Sequence, residues 1–460
     1  MEQNRNDQKY IQMTQAPVEK LIARLAVPSI ISMLISTIYN MVDTFFIGQI
    51  STSASGAVGV AFSVMAIIQA LGFFFGQGAG ASLSQALGNR DEERAQQLGN
   101  VGLFSALICG TAVGVLGLIF MKPLVYFLGA TETIYPHCVA YLSFIFIGAP
   151  WMAGSFVLNN LLRFQGNAYL GMIGLTIGGI LNMILDPILI FGFHMGIAGA
   201  AIATIFSQAV GFTILIFLCN TKGSIHISPK SFRPCRNHYN AICRSGLPSL
   251  LRQGVASVAV ICLNTSARPF GDAAIAAMAI ISKLVNFSNS VMLGFGQGFQ
   301  PVCGYNYGAK LFNRVKRGYF FCVKISFVVL AAFCITEFCF AEEIIAVFRR
   351  GDPEVIAIGA KALRFQCLTL VFNSVIISSN MLLQTTGRMV PASLIGIARQ
   401  GLFLIPALLI FTRVFGLLGL QIAQPVADTC TLLLTLPVIS KFLHTLDDPF
   451  ERLPGAETKD

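Results

Sequence analysis

The stretch Gly178-Gly-Ile-Leu-Asn182-Met-Ile-Leu-Asp186-Pro187 is an apolar run that carries an amide and a carboxylate four residues apart. On a helix that spacing puts Asn182 and Asp186 on one face, one turn from each other. An Asp near the centre of a membrane helix costs about 2.5–3.5 kcal/mol on insertion scales, so it marks either a functional site or a pairing with a neighbouring helix. What the rest of the chain brings to the same depth decides between the two.

Hydrophobic residues make up 55% of the chain and charged residues 11%, where a soluble domain carries about 25% charged. The apolar runs are long and rich in Leu, Ile, Ala and Gly, without the alternation of a β-barrel strand. The expected fold class is therefore an all-α polytopic membrane protein, and the expected surroundings are a lipid bilayer. Twelve spans are predicted at 25–49, 57–80, 99–121, 138–160, 170–193, 196–219, 246–268, 275–302, 319–341, 363–384, 390–412 and 416–439.

The net charge of +10 invites a nucleic-acid reading, but its distribution follows the membrane. With both termini in the cytoplasm, 20 of the 31 Lys and Arg fall in cytoplasmic segments, which is the positive-inside bias. No nucleic-acid partner is expected. Residues 1–24 are polar and contain no signal-peptide core, so the first span is expected to act as the insertion signal. Val18, Leu21, Ile22 and Leu25 recur at helical spacing after Pro17, which predicts a short interfacial helix leading into that span. The connection 220–245 carries Lys222, Lys230, Arg233, Arg236 and Arg244 and no acid, and reads as a basic cytoplasmic linker between two halves. Residues 440–460 form the expected cytoplasmic tail.

Those halves, 25–219 and 246–439, repeat. A shift of 220 residues lays Phe75-Gly-Gln-Gly78 on Phe295-Gly-Gln-Gly298, Pro28 on Pro248, Gly88 on Gly308, and Leu189-Ile-Phe191 on Leu409-Ile-Phe411. Six spans in each half make the repeats parallel, related by an axis along the membrane normal. Two six-helix lobes facing one another across a central cavity is the plan of an alternating-access secondary transporter.

Three acids lie well inside spans: Asp43, Asp186 and Asp428. The fifth and sixth spans join through Gly192-Phe-His-Met-Gly196, and Asp186 and Thr204 are equidistant from the apex of that turn, so they face each other. Asp43 reaches a matching depth in the first span. Oxygen-rich clusters suit hard cations, and carboxylates in apolar surroundings carry protons near neutral pH. Both describe a coupling-ion site for Na⁺ or H⁺; a polar network that only ties three helices together is the alternative. Pro187 leaves the carbonyl of Met183 without its intrahelical partner, and Pro28 interrupts the first span in the same way, so both predict helix bends.

The second lobe does not copy this chemistry: at the 220 shift Asp43 meets Leu263, Asn182 meets Leu402 and Asp186 meets Pro406. It carries Arg252, Lys283, Arg399 and Asp428 instead, which suit a cavity lining or a gate, while Arg252 and Lys283 equally suit snorkelling or local pairing. Tyr39, one turn before Asp43, and Tyr141 and Asn159 of the fourth span are further candidates to line a substrate cavity. His194, His226 and His238 show no metal-ligand spacing, and Gly76-Gln-Gly78 lacks the strand-turn-helix setting of a phosphate loop. The twelve cysteines are scattered, with no C-x-x-C pair. No nucleophile with a base and an orienting partner is present, so an enzyme is not expected.

Tyr39-Asn-Met-Val-Asp43-Thr-Phe-Phe-Ile-Gly48, the paired Phe-Gly-Gln-Gly endings of spans two and eight, and Asn182-x-x-x-Asp186-Pro187 followed by Gly196-Ile-Ala-Gly-Ala200-Ala-Ile-Ala-Thr204 together resemble the multidrug and toxic compound extrusion family, most closely its DinF-like and MepA-like members. The resemblance implies a monomeric plasma-membrane antiporter, without a cofactor, that exports organic, often cationic and aromatic, compounds in exchange for inward Na⁺ or H⁺. It also implies a cation site at Asp43, Asn182, Asp186 and Thr204, with a backbone carbonyl at Ala200. Another branch of the family carries acids in spans seven and ten, where this chain has Arg252, Gln253 and Asn373. A lipid-linked saccharide flippase of the same superfamily is the alternative, with Arg252, Lys283 and Arg399 facing a pyrophosphate. A major-facilitator transporter fits less well, because the loop Gly88-Asn-Arg-Asp-Glu-Glu-Arg94 lacks that family's basic signature.

Overall fold

The computed structural model describes residues 2–348 and 352–447, and among these every regular element is a helix. In order they are α1 (Glu2–Gln15), α2 (Val18–Gly48), α3 (Thr52–Gly88), α4 (Glu92–Ile119), α5 (Met121–Phe127), α6 (Tyr135–Phe164), α7 (Ala168–Pro187), α8 (Gly196–Lys222), α9 (Arg236–Ala267), α10 (Gly271–Gly308), α11 (Phe312–Cys339), α12 (Ala341–Phe348), α13 (Pro353–Leu370), α14 (Asn373–Thr385), α15 (Met389–Ile397), α16 (Ile405–Phe415) and α17 (Leu417–Thr445). Of the tail expected at 440–460, residues 448–460 lie outside the described residues.

Among the described residues ten stretches are long and apolar enough to cross a membrane, and α13 with α14, bent by 52° at their junction, makes an eleventh. One of the ten, Arg236–Gly308, runs for 73 residues, far more than the roughly 20 that cross a bilayer. It comprises α9 and α10, parted by a single 3-10 turn, Arg268–Phe270, and by Gly271 at φ 84°. Counted as two, it gives the twelve spans that the sequence predicts.

The start of the chain departs from expectation. Val18, Leu21, Ile22 and Leu25 are buried, not lipid-facing, and they open α2 itself. A Cβ on Gly318 of α11 would touch both Val18 and Ile22, so this apolar face is spent on the second lobe. Pro28 consequently lies well inside α2, which runs through it without a break. At Pro187 the α-helical ladder ends and a π-turn, Ile188–Gly192, takes over, with the Phe193 amide donating to the Ile188 carbonyl at 2.9 Å. The eleventh span is interrupted likewise by a π segment, Ala398–Leu404, between α15 and α16.

Helix α1, the end of α17 and the connection after α8 gather at one end of the bundle, the linker side. There Lys9 of α1 donates to the Gly166 carbonyl and Arg314 of α11 to that of Ala16, while the His226 amide donates to Gln96. One buried apolar cluster at this end joins both lobes, from Leu21, Leu83 and Leu158 to Phe299, Tyr319 and Ile439. Toward the far side the core divides. Ile47, Tyr141, Phe146 and Ala200 belong to a cluster confined to the first lobe, and Ala259, Met278, Leu363 and Leu420 to one confined to the second. The lobes are thus fused on the linker side and separately cored beyond it. The fusion depends on repeat-related glycines: a Cβ on Gly88 would collide with the carbonyl of Tyr305, and one on Gly308 with that of Gln85.

Candidate functional site

Two polar features stand out, one inside the first lobe and one between the lobes. In the first lobe α7 supplies Asn182 and Asp186, α8 supplies Ala200 and Thr204, and α2 supplies Asp43. Asn182 donates through Nδ2 to Asp186 Oδ1 at 3.1 Å and to Thr204 Oγ1 at 3.4 Å, and the Thr204 hydroxyl donates to the Ala200 carbonyl at 3.0 Å. Asp43 faces Asp186. Asp186 is fully buried and Asp43 is 8% exposed.

Three buried oxygens of this cluster, Asp43 Oδ1, Asp186 Oδ2 and Asn182 Oδ1, have no hydrogen-bond partner among the described residues. Buried acceptors without donors are costly, and two buried carboxylates face to face hold their negative charge only at high cost without something positive between them. Carboxylate, amide, hydroxyl and carbonyl oxygens fit a hard cation, and the carboxylates alone fit a proton. No group of three His, Cys, Asp or Glu side chains suited to a metal occurs among the described residues.

Tyr141 belongs to this cluster. Its hydroxyl is within reach of Thr204, and its fully buried ring packs with the first-lobe core. Tyr39 sits beside Asp43, with its ring against Gly179. Asn159 packs on Gly171, tying α6 to α7.

Between the lobes lies a cavity of about 330 Å³. Its floor, at the linker side, is made by the buried side chains of Gln77, Gln297, Asn380 and Gln384. Among the described residues, nine amide side chains and two guanidiniums, Arg252 and Arg399, line it together with apolar residues, and no carboxylate does. Tyr39, Tyr141, Asn159, Lys283 and Asp428, all expected near a substrate cavity, are not among its lining residues. For the two tyrosines and Asn159 the reason is packing within the first lobe. Lys283 is exposed on α10. Asp428 is fully buried behind the cavity wall, where it accepts from Arg399 Nε at 2.8 Å, Gln424 at 2.8 Å and Gln366 at 2.9 Å.

The amide lining was not read from the sequence, although Gln77 and Gln297 sit inside the repeated Phe-Gly-Gln-Gly that betrayed the two halves. A fourth membrane carboxyl also escaped notice. Glu337 of α11 is 6% exposed and accepts from Ser288 at 3.4 Å and from the Cys367 thiol at 3.7 Å. The signal available was its place inside the predicted ninth span, 319–341, four residues from its end.

Known proteins share this architecture. The multidrug export protein MepA of Staphylococcus haemolyticus is 27% identical over 445 residues, covering 96% of this chain and 97% of its own. MepA of Staphylococcus saprophyticus is 28% identical over 440 residues, covering 94% and 96%. Among solved structures, an outward-facing multidrug resistance MATE transporter of the MOP superfamily superposes with a TM-score of 0.90 at 25% identity, covering 95% of this chain and 98% of its own. A MOP superfamily transporter from Pyrococcus furiosus, whose binding pocket is described as reversed in polarity, superposes at 0.86 with 26% identity, over 95% and 98%. The MatE sequence family matches twice, over residues 28–188 and 248–409, and the two matches begin 220 residues apart, the offset of the internal repeat. The chain is a multi-pass membrane transporter that belongs to the MatE family, the multidrug and toxic compound extrusion transporters.

Proposed function

We propose that the protein exports organic compounds across the plasma membrane in exchange for inward H⁺ or Na⁺, as a monomer with both termini in the cytoplasm. The observation that carries the reading is the set of three unpartnered oxygens on Asp43, Asp186 and Asn182. They are buried in a lobe whose far-side core is its own, apart from the cavity that would hold the cargo. A cation or proton arriving there neutralises the pair and lets α2, α7 and α8 close around it. In the ion's absence the carboxylates repel and the helices spread. Because α2 also packs on the second lobe through Ala26 and Ile30, such a rearrangement reaches the interlobe contact. The names of the MepA relatives support export of drugs as the direction and cargo. The coupling ion is the only cofactor required.

The test is transport in vesicles with the Na⁺ and H⁺ gradients imposed one at a time. The reading expects at least one gradient to drive a fluorescent organic substrate against its own concentration difference. Movement indifferent to both gradients would end it.

A further inference from the structure

The cavity between the lobes has a charge that the export reading leaves unused. Arg252 and Arg399 are its only charged lining residues among the described residues. Arg399 is neutralised from behind: its Nε donates to Asp428, which is fully buried and held by two glutamines as well. That carboxylate is committed and does not line the cavity. Arg252, on α9, stands close enough to Arg399 for the two like charges to interact, and it makes no ion pair or hydrogen bond to an acid among the described residues. The cavity therefore presents one uncompensated guanidinium, with Gln253 and Gln400 beside it and Met33, Phe73 and Ile376 among its apolar lining.

We propose that the exported substrate is an amphipathic organic anion, an apolar or aromatic body bearing one carboxylate or phosphate group that Arg252 binds. A guanidinium accepts either group in a bidentate pair, and the surrounding amides donate to the oxygens it leaves free. An organic cation entering the same space meets the uncompensated charge of Arg252 and no lining acid to offset it, in surroundings that screen it poorly. The coupling cation and the substrate then occupy opposite fields, one inside the first lobe and one between the lobes, so they do not contend for the same carboxylates. This inference rests on the export reading for the word substrate; the binding chemistry stands on the cavity alone.

The purified full chain in detergent is titrated with three fluorescent probes that share one dansyl body and differ in the head: a carboxylate, a phosphate monoester and a primary ammonium. Wild type is expected to bind at least one anion about tenfold or more tighter than the ammonium, the size typical of a charged hydrogen bond. Which anion wins separates a carboxylate from a phosphate cargo. Arg252→Gln, which leaves the Arg399–Asp428 pair untouched, is expected to remove about that factor for the anion and to leave the ammonium unmoved, which also shows that the variant is folded. Equal affinities, a preference for the ammonium, no anion binding, or an anion affinity that ignores Arg252→Gln each overturn the proposal. The same probes in vesicles keep the two readings apart. Gradient-driven movement of the ammonium alone sinks the anion and leaves export standing, whereas anion selectivity without gradient-driven movement leaves this proposal standing and sinks export.

Discussion

Asp186 is fully buried, yet one of its oxygens accepts nothing, and the same is true of an oxygen of the Asp43 that it faces. Replacing Asp186 with Asn keeps the acceptor for Asn182 Nδ2 and removes the charge. Asp186→Asn is thus expected to insert and fold normally, because an insertion cost of about 2.5–3.5 kcal/mol is relieved, and to lose gradient-driven export, measured in vesicles at equal protein. Asp43→Asn should do the same, and the double variant should be no worse than either single one, because both groups serve one ion. Independent, multiplying losses would separate them. Asn182, Asp186 and Thr204 were legible because helical spacing and a tight hairpin turn convert sequence distance into position. Tyr141 was not, since its approach to Thr204 depends on how α6 leans on α8, through contacts such as Trp151 Nε1 to the Ile205 carbonyl at 3.1 Å. No local pattern encodes that lean.

Among the elements, α1 was invisible as structure because its residues are polar and its partners are distant in sequence. It lies across both lobes: Lys9 donates to the Gly166 carbonyl at 2.7 Å and to Asn167 Oδ1 at 2.9 Å in the first lobe, and Asn306 of the second donates to the Met13 carbonyl at 3.0 Å. Burial, helped by the charge of Arg24, pushes the Lys9 ammonium down to about 8 from its ordinary 10.5. Below pH 8 both the docked and the undocked helix carry the proton, and between pH 8 and 10.5 only the undocked one does. Docking should therefore strengthen as pH rises through that window. Limited proteolysis of α1 at pH 7.5 and 9.5 should show slower cutting at the higher pH after correction for the protease, and Lys9→Met should abolish the difference. The bend between α13 and α14 was missed for another reason: it contains no proline or glycine. At the bend Thr369 and Ser374 bond the backbone through their hydroxyls, Thr369 Oγ1 to the Gln366 carbonyl at 3.4 Å and Ser374 Oγ to the Val371 carbonyl at 2.7 Å, while Asn373 Nδ2 donates across to Asn289 Oδ1 at 3.2 Å.

At the scale of the whole molecule, the two lobes were legible from a constant offset, but the side on which they meet was not. That depends on which repeat-related residues touch across the pseudo-twofold, and the glycines at 88 and 308 look in the sequence like ordinary helix ends. The linker-side closure has a polar layer as well as a glycine one. Gln300 Nε2 of α10 donates to Gln77 Oε1 of α3 at 3.1 Å, Arg163 of α6 reaches Gln300 at 3.5 Å, and Gln85 donates to the Thr385 carbonyl at 2.5 Å. Alternating access requires every one of these contacts to part when the cavity opens toward the linker. A covalent bond across them should hold the far-side-open form and stop the cycle without touching either the ion cluster or Arg252. In a background freed of native cysteines, the Gln85→Cys, Thr385→Cys pair, neither residue of which lines the cavity, is expected to lose transport on oxidation and to recover it on reduction, while each single substitution stays active under both conditions. Equilibrium binding of a fluorescent substrate should survive oxidation, since the cavity remains open on the far side. Transport that continues through the oxidised pair, with the crosslink verified by mass spectrometry, would mean that the lobes move without parting at the linker side and that the glycine contacts at 88 and 308 are static packing.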